Sequence, residues 1–154
     1  MSPLRTTLAV LTLSAAGLAG IVGWEGYSGT AYRDVAGVPT IGYGTTEGVK
    51  MGDTITKPEA MARAKTDVQA FEGALRRCVK VPLHQHEYDA LVSISYNIGP
   101  GAFCRSTLVR KLNAGDYVGA CAEILRWNRA GGRVVQGLVN RRKAEYRLCI
   151  GSAP

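Results

Sequence analysis

Between Arg5 and Glu25 the chain has no charged side chain, and before Cys78 it has no cysteine. The four cysteines it does have, Cys78, Cys104, Cys121 and Cys149, show no C-x2-C spacing, which argues against a zinc site. Histidine is nearly absent: His84 and His86 stand two apart where a helix should begin, so they do not share a face, and a surface role outweighs metal binding. No metal and no cofactor are expected. Low-complexity tracts and internal repeats are missing, which excludes disordered and solenoid classes. The net charge of +7 favours polyanions, whether nucleic acid, anionic lipid or an acidic wall polymer. Nucleic acid is set aside because Lys and Arg are scattered, with no zinc-finger, basic-zipper or stacking-aromatic motif beside them.

What is present describes one globular domain. The 154 residues, 46% hydrophobic and 20% charged, suffice for a single core and are too few for two comfortable ones. An even cysteine count behind an export-like segment favours two disulfides made in an oxidising compartment, with four buried thiols as the alternative.

Thr6 to Trp24 is 19 residues without a charge. As a single helix it would reach about 28 Å, close to the hydrocarbon thickness of a bilayer. The positive flank, formed by the amino terminus and Arg5, would stay cytoplasmic while the rest is exported. Yet of the 18 residues from Thr6 to Gly23 only seven are Leu, Val or Ile and eleven are Ala, Gly, Thr or Ser, so insertion is only marginally favourable. Three fates follow. The preferred one is a retained, releasable anchor over residues 4–24. Signal-peptide cleavage near Gly17-Leu18-Ala19 comes second and a permanent core helix third. Residues 1–24 are thus read as an anchor segment and 25–154 as the working domain.

Further along, Thr56-Lys57-Pro58-Glu59 has the form of a capping box, starting a helix at Lys57 with Met61, Ala64, Val68, Phe71 and Leu75 as its apolar stripe. A second helix is expected from about Gln85 to Asn97, capped at His84 and stopped by Gly99-Pro100. Ser106 should cap Thr107 to Asn113. Asp116 should cap Tyr117 to Trp127, with Val118, Cys121, Ile124 and Leu125 turned inward. After a break at Gly131-Gly132 a last helix should run from about Gly137 to Ile150. Strands are expected only near Tyr32–Asp34 and Thr40–Tyr43.

The chemistry lies between Trp24 and Thr46. Glycoside hydrolysis requires a protonated acid at the leaving oxygen and a carboxylate on the opposite face of the sugar. Glu25, beside Trp24 at the foot of an apolar helix, is in a setting that keeps a carboxyl protonated. Asp34, after an exposed turn carrying Arg33, suits the ionised partner. Thr40 can hold a water by its hydroxyl. Singly, each has a bland reading as a surface charge, a turn former or a structural Thr. The joint spacing E-x8-D-x5-T on a glycine-rich frame is specific.

The stretch E-G-x-x-G-x-A-Y-x-D-x2-G-x2-T-I-G-Y-G-T-T resembles the active-site hairpin of phage-type lysozymes, glycoside hydrolase family 24. Ala90-Leu91-Val92-Ser93, Tyr96-Asn97-Ile98-Gly99, Ser106-Thr107-Leu108 and Arg141-Arg142 with Glu145 extend the resemblance across Gly23 to Cys149. With the uncharged run it narrows to signal-anchor-release endolysins of lambda-like phages. The resemblance implies an α+β, mostly helical lysozyme-like fold with a small β lobe forming one wall of a cleft. It implies cleavage of the β-1,4 bond between N-acetylmuramic acid and N-acetylglucosamine in peptidoglycan glycan strands, with inversion, and host lysis.

Glu25 would be the proton donor, and Asp34 and Thr40 would handle water. Thr46, Tyr96 and Asn97 would contact the glycan, and Arg141 would support the acid. The anchored protein would sit in the host inner membrane with its domain periplasmic, then act as a soluble monomer. The pairing taken for the disulfides, one of three possible, is Cys78 with Cys104 and Cys121 with Cys149. One departure is Thr45, where many members carry His, so a His-dependent ion pair is not expected. The anchor holds no cysteine, which excludes its activation by thiol exchange. The alternatives are a lytic transglycosylase, which uses one Glu and no water, and an inactive wall-binding protein.

Overall fold

The structure, a computed structural model, describes residues 3–152. The amino terminus invoked as part of the positive flank lies outside them. The chain forms two compact units, Leu18–Ala70 and a second made of Met1–Gly17 with Phe71–Pro154. It is α+β and mostly helical, as expected.

In Leu18–Ala70, helix α1 (Ala15–Glu25) ends at Glu25 and leads into the antiparallel pair β1 (Ser28–Arg33) and β2 (Pro39–Gly42). Tyr32 pairs with Thr40 and Arg33 with Pro39, and the register shifts between Ser28 and Tyr32. Ala31, Ile41 and Val49 form a small core with Ile55 against it. Helix α2 (Lys57–Cys78) starts at the expected box: Glu59 N donates to Thr56 Oγ1 and Thr56 N donates to Glu59 Oε2 at 3.2 Å.

The second unit holds α3 (Gln85–Ile98), α4 (Pro100–Cys104), α5 (Thr107–Asn113), α6 (Tyr117–Glu123) and α7 (Gln136–Cys149), with a two-residue hairpin of β3 (Arg129–Ala130) and β4 (Arg133–Val134). Leu75, Tyr88, Leu91, Ile94, Phe103, Leu108 and Ile124 are buried there. Ser106 Oγ accepts from Val109 N and Asp116 Oδ1 from Gly119 N, so both expected caps are made. Disulfides join Cys78 to Cys104 and Cys121 to Cys149. The thiol alternative is thereby removed.

Several expectations need correction. Thr6 to Trp24 is not one helix: a 3-10 turn covers Leu8–Val10 and the α-helix begins only at Ala15, because Ser14 Oγ accepts from Gly17 N and caps it there. No helix among the described residues is long and apolar enough to cross a membrane. Val118 is 78% exposed, since α6 turns Ala120 and Cys121 inward instead. Its α-helix stops at Glu123 and continues as a 3-10 turn through Arg126. Beyond Gly99, Pro100 opens α4 rather than only ending α3, as its fixed φ suits a first helical turn. The glycine break at Gly131-Gly132 is the turn of the β3–β4 hairpin. His84 and His86 do stack, with ring centroids 5.3 Å apart, because His84 is extended at the cap and lies outside the helical spacing rule.

Residues 5–14 lie along the second unit as a strap held by polar bonds. Arg5 Nε donates to Glu87 Oε1 at 2.9 Å, and Thr6 and Leu83 exchange two backbone bonds of 2.8 Å. Arg76 donates to the carbonyls of Leu8 and Leu11, and Gln85 donates to that of Thr12. Leu13 N donates to Glu72, and Ser14 donates to Asp89 through both its N and its Oγ. Its own Leu8 and Leu11 side chains are buried.

Candidate active site

Glu25 closes α1 and is half-buried. The chain then passes through β1 to a tight loop built by Asp34. Asp34 Oδ1 accepts from Ala36 N and from Val38 N, each at 2.9 Å, while Asp34 N donates to Val38 O at 3.0 Å. An aspartate folding its own loop in this way is the turn-former behaviour of the residue type. Both side-chain bonds fall on Oδ1, so Oδ2 carries no hydrogen bond among the described residues. Arg33 Nη1 donates to Gly37 O, reinforcing the same loop rather than pairing with Asp34.

Thr40, 4% exposed, follows on β2 and donates its hydroxyl proton to Val38 O at 2.9 Å. With that proton committed, Oγ1 has only acceptor capacity left. The loop from Asp34 to Thr40 is therefore one hydrogen-bonded piece that carries a carboxylate oxygen and a hydroxyl acceptor.

Next comes the turn that bears on Glu25. Ile41 and Thr45 exchange backbone bonds of 2.9 and 3.0 Å, enclosing Gly42, Tyr43 and Gly44. Gly42 and Gly44 have φ of +65° and +88°, a region where side chains are strained. A Cβ at Gly44 would stand 3.2 Å from Glu25 Oε2, and one at Gly42 would stand 3.0 Å from Ala60 Cβ of α2. Glycine is thus favoured at both positions by the backbone, and the space beside each is tight. Thr46 is exposed just beyond the turn.

Tyr96, Asn97 and Arg141 belong to the second unit. Tyr96 is half-buried with its ring 4.8 Å from that of Phe71, and Asn97 is exposed near the end of α3. Arg141 is 4% exposed and sits in a buried ionic cluster that the sequence pattern did not reveal. Arg141 Nε donates to Glu145 Oε1 at 3.0 Å, Ser93 Oγ donates to the same oxygen at 2.6 Å, and Arg142 Nε lies 2.8 Å from Glu145 Oε2. Burial pushes the Glu145 carboxyl up, opposed first by Arg142 and then by Ser93 and Arg141. Nearby, burial and the hydrogen bond to Glu72 push the Tyr88 hydroxyl well above its usual range. The described residues contain no group of three or more acids, histidines or cysteines able to hold a metal.

Residues 22–145 match the phage lysozyme family. A SAR-endolysin of Pseudomonas phage phiKMV is 45% identical over 140 residues, covering 88% of this chain and 87% of that protein. A SAR-endolysin of Enterobacteria phage P21 is 37% identical over 144 residues, covering 93% and 87%. Among solved structures, the endolysin from Escherichia coli O157:H7 phage FAHEc1 superimposes with a TM-score of 0.83 at 39% identity, covering 98% of this chain and 99% of that one.

Proposed function

The chain belongs to the phage lysozyme family, and from that premise we propose that Glu25, Asp34 and Thr40 carry its reaction by single displacement. It is an endolysin, a glycoside hydrolase that degrades peptidoglycan as a muramidase at the β-1,4 bond between N-acetylmuramic acid and N-acetylglucosamine. Glu25 gives its proton to the glycosidic oxygen. A water on the opposite face of the sugar donates one hydrogen to Thr40 Oγ1 and loses the other to Asp34 Oδ2, leaving a lone pair aimed at the anomeric carbon. The water oxygen bonds that carbon as the glycosidic bond breaks, so configuration inverts. Thr46, Tyr96 and Asn97 are assigned to glycan contact and Arg141 to support of the acid.

The observation that carries this reading is that the Glu25 carboxylate faces Gly44, in the turn that follows the strand holding Thr40. Mass spectrometry of muropeptides released from purified sacculi tests it. Reducing ends are expected, with an inverted anomer in the first NMR spectra, whereas anhydro ends would establish transglycosylation and overturn it.

A second reading concerns residues 4–24, which act as a releasable anchor in the host inner membrane, with residues 25–154 as the periplasmic catalytic domain. The strap supports retention after release, since cutting near Ala19 would discard every bond that residues 5–14 make to Glu72, Arg76, Leu83, Gln85, Glu87 and Asp89. The freed protein then works as a soluble monomer. A Cβ at Gly20 or Gly23 meets nothing within 4 Å, so leucine at both positions should leave the folded form intact while strengthening membrane partitioning. Fractionation should find this variant trapped in membranes and lysis delayed; lysis on the normal schedule would refute the anchor.

A further inference from the structure

Thr45 is 1% exposed, and its Oγ1 donates to Asp67 Oδ2 of α2 at 2.5 Å, across 22 residues of chain. Its backbone closes the Ile41–Thr45 turn through two bonds, so the hydroxyl fixes the turn as a unit. That turn is wedged on both sides. A Cβ on Gly42 would stand 3.0 Å from Ala60 Cβ of α2 and one on Gly44 would stand 3.2 Å from Glu25 Oε2, so both approaches are tight. A turn held closely at both edges passes displacement on, because neither neighbour can be approached further without shifting.

From this we infer that Thr45 and Asp67 are positioning residues for catalysis: their hydrogen bond sets the height of the Gly44 floor against α2 and thereby the place of the Glu25 carboxylate. The inference rests on Glu25 being the acid. The donor is a neutral hydroxyl, so the tie to Asp67 is made without a second ionising group. The chain needs this tie because the three-residue turn contains two glycines at positive φ, which hold it poorly by themselves. Acid placement is the sensitive quantity, since misplacing a reacting group by about 1 Å costs on the order of 100-fold in rate.

The test is steady-state turnover of a soluble muropeptide polymer by Thr45→Val, Thr45→Ser, Asp67→Ala and the Thr45→Val/Asp67→Ala pair, each verified as folded by circular dichroism. The expected result is a fall in kcat of about 10-fold for Thr45→Val with KM within about twofold, and recovery in Thr45→Ser to within about threefold of wild type. The double variant should match the worse single one, because both remove the same bond. Wild-type kcat in folded Thr45→Val, a loss confined to KM, or multiplicative losses in the double variant would each overturn the inference. Glu25→Gln in the same assay separates the two readings. If it is inactive while Thr45→Val is normal, only the positioning role fails; if it turns over normally, the assignment of the acid fails first.

Discussion

The carboxylate of Glu25 faces Gly44, where an added Cβ would stand 3.2 Å from Oε2. Gly44→Ala should therefore injure catalysis more than folding. The positive φ of +88° adds about 1 kcal/mol of backbone strain, whereas the displaced carboxylate should lower kcat by roughly 100-fold. Parallel thermal melts and sacculus turnover check the two numbers. Equal losses in both would mean that Gly44 serves folding alone.

The strap predicts an ordering of variants. Glu87 accepts from Arg5 and, at 2.7 Å, from His84 N at the start of α3, and its side chain is 4% exposed. Glu87→Ala strands both donors and should cost about 3 kcal/mol. Arg5→Ala, with a side chain 34% exposed and stacked over Tyr117, should cost about 1 kcal/mol. Urea denaturation measures both, and the reverse order would contradict the strap as drawn.

Much of the site was legible because its determinants are local. The Thr56 to Glu59 box, the Ser106 and Asp116 caps and the Asp34 loop each involve residues within about four positions, and side-chain chemistry alone signals them. What the sequence hid depends on distant partners. The burial of Arg141, Arg142 and Glu145 left no local signal, because charged side chains are buried only when partners neutralise them; here Glu145 answers both arginines from the same helix and Ser93, 52 residues away, donates to Glu145 as well. The Thr45–Asp67 bond left no periodic signal for the same reason. Ser14, a good N-cap inside an uncharged run, was the available sign that Thr6 to Trp24 would not be one helix.

Reducing the disulfides should destabilise the second unit. Cys121–Cys149 closes a sequence separation of 28 residues and Cys78–Cys104 one of 26, so each contributes about 3.5 kcal/mol by loop-closure entropy. Paired Cys→Ser replacement of either bridge should lower the unfolding free energy by a similar amount and the urea midpoint with it. A variant with an unchanged midpoint would show that its bridge constrains little.

Acid sensitivity should trace in part to Glu123. Its hydrogen bond from Lys111 Nζ at 2.9 Å, aided by Arg126, holds the carboxyl below the usual glutamate range. Because the folded value lies below the unfolded one, the stabilisation is present above the ordinary glutamate range and is lost as pH falls through the folded value. Glu123→Gln should flatten the acid limb of the stability curve while leaving its shape above pH ~6 unaltered. An unchanged acid limb would assign that limb to other carboxylates.

The assignment of Glu25 as the proton donor is tested most directly by the rate at which folded Glu25→Gln releases muropeptides from purified sacculi, measured beside the wild type at the same concentration. Removing the general acid while keeping the shape of the side chain should cut the rate by at least about 1000-fold with little change in melting temperature. Release within about tenfold of the wild-type rate would show that the proton comes from elsewhere.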